Sequence, residues 1–78
     1  MNYEEIDKQI EEIYEAFNHL SEDESLTVEI VLYKQRYYVN YKDFDPIQEE
    51  AIIQINPYYG EYYILPYEEI IDLRYHVE

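Results

Sequence analysis

Cysteine is absent from this chain, which excludes disulfides and thiolate metal sites and makes a reducing compartment the expected setting. Glycine occurs once and proline three times in 78 residues, so there is almost no linker and a single domain, residues 1–78, is expected. Apolar runs are short; none approaches the roughly 18–20 residues of a membrane span. Met1-Asn2-Tyr3-Glu4-Glu5 has neither the basic flank nor the apolar core of a signal peptide, and a soluble, cytoplasmic protein is the expectation. Bases are scarce too. Five lysines and arginines face nineteen acids, a net charge of −14, which argues against a basic surface for nucleic acid or anionic membrane.

What is present is apolar and periodic. Hydrophobic residues make up 47% of the chain and twelve residues are tyrosine, enough to argue for a folded domain over a disordered acidic one. A chain of this length buries only about 60–65% of the surface its unfolded form exposes, so modest stability is expected. Ile6, Ile10, Ile13, Tyr14, Phe17 and Leu20 form one stripe at helical spacing, which predicts an amphipathic helix over about 3–20. Asn2 and Glu5 make a capping pair, and Glu4, Glu5 and Asp7 suit the positive end of the helix dipole. Glu11, Glu12 and Glu15 lie off the stripe, and Ser21-Glu22-Asp23-Glu24-Ser25 is an acidic connector.

Alternation then predicts strands at about 26–33, 36–44, 51–56, 61–65 and 71–77. Lys34-Gln35-Arg36 reads as a tight connection, Asp45-Pro46 as a turn, and Asn56-Pro57-Tyr58-Tyr59-Gly60 as the turn into a closing unit. In that unit Tyr62 and Ile64 point to one face and Tyr63 and Leu65 to the other, a strand needing cover on both sides. Pro66 stops it, and Pro66-Tyr67-Glu68-Glu69-Ile70 is long enough for a single helical turn. The fold class expected is α+β. One N-terminal amphipathic helix precedes five short antiparallel strands that form a small SH3-like or Sm-like barrel, or a curled sheet.

Phe44-Asp45-Pro46, followed by Gly60-Glu61-Tyr62-Tyr63-Ile64 and Leu65-Pro66-Tyr67-Glu68-Glu69-Ile70-Ile71-Asp72-Leu73, resembles the YolD-like family of Gram-positive bacteria and their phages. Members carry an acidic helix, strands, an I-D-P turn and a closing stretch of the form G-x-x-x-x-I-P-F-x-D-I-I-x-I. The resemblance covers roughly residues 5 to 75 and is most specific in the last dozen, which are mainly structural. It implies a role beside Y-family DNA polymerases, in DNA repair and the SOS response.

Catalytic chemistry finds little to use. Ser21 and Ser25 are the only serines, both in the acidic connector, and no glycine-rich phosphate loop or Walker pattern is present. Nineteen carboxylates guarantee some close pairs, so proximity alone does not mark a general acid and base. No cofactor and no metal ligand set is expected, since His19 and His76 stand far apart and match no zinc or calcium spacing. The expectation is a non-enzyme.

The adjacent pairs Tyr37-Tyr38, Tyr58-Tyr59 and Tyr62-Tyr63 must each split between the faces of a strand. Tyr38, Tyr58 and Tyr59 are therefore either interface rings or rings that cover sheet edges or pack under the helix. Ten acids fall in residues 1–29, and they serve either solubility or recognition. In the second case Glu11, Glu12, Glu15, Glu22, Asp23 and Glu24, with those tyrosines, form a protein-binding surface. Lys34, Arg36 and Lys42 cluster near one hairpin, where they pair with the helix acids or offset their repulsion. Two functions suit this pattern. One is a module that binds and regulates a DNA polymerase or other DNA-processing enzyme. The other is a phage or mobile-element DNA mimic in the DNA groove of a host repair glycosylase or nuclease. Homodimerisation through a sheet edge or the helix stripe is open in both.

Overall fold

A computed structural model describes residues 3–56 and 61–78. Asn2, expected to cap α1, and Tyr58 and Tyr59, expected in a turn, lie outside the described residues. The described residues form one α-helix and six strands, α1 (Tyr3–Asn18), β1 (Leu26–Val31), β2 (Arg36–Asn40), β3 (Phe44–Ile47), β4 (Ile52–Ile55), β5 (Tyr63–Pro66) and β6 (Asp72–Val77). All strand pairs are antiparallel, in two three-stranded sheets ordered β2-β1-β6 and β3-β4-β5. The α+β class therefore holds. The expected five strands become six, and among the described residues no strand pairing joins the two sheets into a closed barrel.

The sixth strand arises at Asn40. Its side-chain Oδ1 accepts from the Lys42 amide at 3.0 Å, capping a 3-10 turn over Tyr41–Asp43. The expected strand over 36–44 is thus cut in two, because an asparagine that bonds its own backbone two residues on offers the chain an alternative to the ladder. The first half stays with β1 and the second joins β4. Asp45-Pro46, read as a turn, lies inside β3 instead. β3 is an edge strand, where a proline without an amide can sit.

Helix α1 ends two residues earlier than expected, since His19 and Leu20 donate to Ala16 and Phe17, the i→i+3 bonds of a tightening last turn. Ile6, Ile10 and Ile13 are buried, Tyr14 and Leu20 half-buried. Phe17 departs from the stripe's core role and stacks on Tyr41 at 3.9 Å between ring centroids. The isoleucines meet Leu26, Val28, Ile30, Val39 and Leu73 of one sheet and Phe44, Ile53, Ile55 and Leu65 of the other, with Tyr67 and Ile70 between. Gln9 ties the helix to β6: its Nε2 donates to Asp72 Oδ1 at 2.8 Å and its Oε1 accepts from the Leu73 amide at 3.2 Å.

The closing unit forms as strand, turn and strand. Its turn, Tyr67–Glu69, is 3-10 with Pro66 just ahead of it. One face of β5 lacks the expected cover: Ile64 is exposed, as is Tyr62 just ahead of the strand, while Leu65 is buried. No helix among the described residues is long and apolar enough to cross a membrane.

Candidate functional site

The helix stripe settles where the acids go. With Ile6, Ile10 and Ile13 turned into the core, Glu11, Glu12 and Glu15 are exposed on the rest of α1. Glu12 and Glu15, with Ala16, His19 and Tyr75, line an open recess of about 280 Å³. Glu22, Asp23 and Glu24 follow in the connector at the C-terminal end of α1, also exposed. Glu24 braces the connector, since its Oε1 accepts from the Ser21 amide at 2.8 Å while its own amide donates to the Ser21 carbonyl. Among the described residues, Glu11, Glu12, Glu15, Glu22 and Asp23 take part in no ion pair.

Tyr38 is not part of this surface. It lies on the outer face of the β2-β1-β6 sheet, directly across from Glu29, whereas the helix packs on the core side. At 62% exposure it is an outward ring. The acids and the one described tyrosine expected to act together therefore occupy different faces.

Around Tyr38 is a cluster that alternation alone does not single out. Glu29, in the middle of the central strand, is only 4% exposed. Its Oε1 lies 2.7 Å from His76 Nε2 and its Oε2 accepts from Arg36 Nη1 at 2.6 Å. Arg74 Nη1 stands 3.8 Å away, and Arg74 Nε donates to Asp72 Oδ2 at 2.8 Å. The pairing register explains the gathering. Glu29 faces Tyr38 and Arg74, its neighbours Thr27 and Val31 face His76 and Arg36, and all of these side chains point outward. The hydrogen bond with His76 holds the Glu29 carboxyl below its ordinary value; burial pushes the other way, and Arg36 and Arg74 add to the lowering. Asp72 is likewise held low, first by Arg74; burial pushes the other way, and Gln9 adds to the lowering.

This arrangement corrects the reading of the bases. Arg36 pairs with a carboxylate of its own sheet rather than with the helix, and Lys34 sits over the Tyr33 ring, 5.3 Å from its centroid. The sequence signal for the cluster was the one charged residue, Glu29, in the largely apolar run Leu26 to Leu32. Chemically the cluster is saturated: every strong donor around Glu29 already has its acceptor, which suits holding strands in register more than activating a substrate.

A second open groove, about 490 Å³, runs beside the Phe17–Tyr41 stack and is lined also by Asp43, Asp45, Asn56 and Tyr62. No group of three histidine, aspartate or glutamate side chains among the described residues is placed to hold a metal ion. No protein-family model, curated protein or solved structure matches the chain.

Proposed function

We propose that this chain is a non-catalytic, YolD-like protein-interaction module of the cytoplasm. In this reading it binds and regulates a DNA-transaction protein such as a Y-family translesion polymerase. The observation that carries the proposal is the unequal treatment of charge. Arg36 and Arg74 are engaged by Glu29 and Asp72, while five carboxylates on α1 and its connector form no ion pair among the described residues. Proteins that handle DNA carry basic surfaces, and an unbalanced acidic face on a rigid helix is complementary to them. The closing β5–turn–β6 unit, where the YolD-like resemblance is strongest, supports the family reading. Two three-stranded sheets joined through residues 36–47 suit a small SH3-like fold.

Affinity capture from a Gram-positive lysate, with and without competitor DNA, tests the proposal. A DNA polymerase retained in both conditions is the expected result. A glycosylase or nuclease released by DNA would replace this reading with the DNA-mimic one.

A further inference from the structure

On the side of the β1–β2 turn, a groove of about 510 Å³ is unrelated to the helix acids. Three of its lining side chains are apolar: Leu32 is half-buried, Tyr33 is 81% exposed and Ile71 is 63% exposed. One wall is the two-residue turn that carries Tyr33 and Lys34, closed by the Leu32 amide donating to the Gln35 carbonyl at 2.8 Å. The other is the 3-10 turn bearing Glu68 and Glu69, closed by Ile70 donating to Tyr67 at 3.0 Å. Between the walls, the Ile71 amide donates to the Val31 carbonyl at 2.8 Å, so the groove is held open by backbone bonds. Preformed walls lower the ordering cost of binding.

We propose that this groove docks an extended peptide in which an apolar side chain neighbours an arginine or lysine. The apolar residue would cover Tyr33 and Ile71, and the cation would lie against Glu68 and Glu69, which form no ion pair among the described residues. Charge complementarity selects this occupant: a second copy of the chain brings a net charge of −14 and an acidic peptide brings the same sign. Lys34, the cation lining this groove, is engaged on the Tyr33 ring, 5.3 Å from its centroid, and Glu68 and Glu69 outnumber it among the lining residues, so the lining is net negative.

The inference goes beyond the helix-face reading and does not depend on it. The test is a titration of the 15N-labelled full chain with three capped tetrapeptides: alternating leucine–arginine, serine–arginine and leucine–glutamate. The leucine–arginine peptide should shift the amides of Tyr33, Lys34, Gln35, Glu68, Glu69 and Ile71. It should bind about tenfold or more tighter than the serine–arginine peptide, the size of effect expected from burying a leucine side chain. The leucine–glutamate peptide should not bind. The variants E68Q/E69Q and I71S, each confirmed folded by its spectrum, should lose most of the leucine–arginine binding while E11Q/E12Q/E15Q keeps it. Equal binding by the serine–arginine peptide, or shifts confined to the helix, would overturn the proposal, because only diffuse charge attraction would then remain.

Discussion

Glu29 and the glutamates of α1 are the same side chain in opposite circumstances. Glu29 sits nearly without solvent at the centre of a sheet and is met by Arg36, Arg74 and His76. Glu11, Glu12 and Glu15 stand in water and form no ion pair among the described residues. The difference follows from position. A central strand flanked on both sides can bring three partners to one carboxylate through register, whereas the outer face of a helix offers neighbours only from its own turns. The first region engages its bases inside the domain, and the second leaves its charge facing outward.

Removing the Glu29 carboxylate should show the largest effect. Its pKa is lowered on folding from an ordinary value of 4.5, mainly by His76, and Asp72's from 3.8, mainly by Arg74. A carboxyl whose pKa falls on folding stabilises the native state above its unfolded pKa and loses that contribution as pH falls through the folded one. Stability should therefore decline once pH drops below the ordinary carboxylate range. E29Q should lower Tm by several degrees at neutral pH and flatten the acid decline, as followed by circular dichroism. E11Q/E12Q/E15Q should leave the decline in place. If the helix variant flattened it instead, the contrast between the two regions would be misassigned.

Salt sharpens the same contrast with a smaller effect. Repulsion among exposed carboxylates is screened, while a nearly buried pair is screened much less. Tm should rise from low to physiological ionic strength, and E11Q/E12Q/E15Q should reduce that rise. A Tm that falls with salt would mean that attractive pairs dominate the surface.

The smallest effect belongs to Tyr67, which shows what burial does without a partner. Its hydroxyl is buried with no sound hydrogen-bond geometry to any described group, and burial, then the nearby Asp7 carboxylate, pushes its pKa well above 10.0. A raised phenol pKa favours the neutral fold, so its contribution is lost as pH rises above about 10 toward the folded value. Y67F should change unfolding free energy by no more than about 1 kcal/mol at neutral pH, since it removes an unpaired polar group and keeps the ring. Spectrophotometric titration should show one tyrosine fewer ionising with alkaline unfolding.

These contrasts mark how far the sequence could be read. Helical spacing found α1 because Ile6, Ile10 and Ile13 repeat on one face, and alternation found β1 and β6, although β1 is buried on both faces and only Leu73 of β6 is buried. It missed the break at Asn40, where a side-chain bond to the backbone outweighs a β-like pattern, and it took Pro46 for a turn because it could not know which strand is an edge. The acids of α1 were legible as exposed, since exposure follows from helical phase. Glu29 was not legible as buried. Its burial depends on Arg74 and His76, more than forty residues on in sequence (|i−j| = 47 for His76), brought beside it by a pairing register that no local pattern carries.

The most direct test of the central claim is the affinity of the captured partner for the wild-type chain and for the variant with Glu11, Glu12, Glu15, Glu22, Asp23 and Glu24 neutralised, measured across a range of salt. The account predicts that the wild type binds more weakly as salt rises, and that the variant binds more weakly at every concentration with a flatter slope. Equal affinity and equal slope for the two proteins would contradict it, and the acids of α1 would then be a solubilising surface.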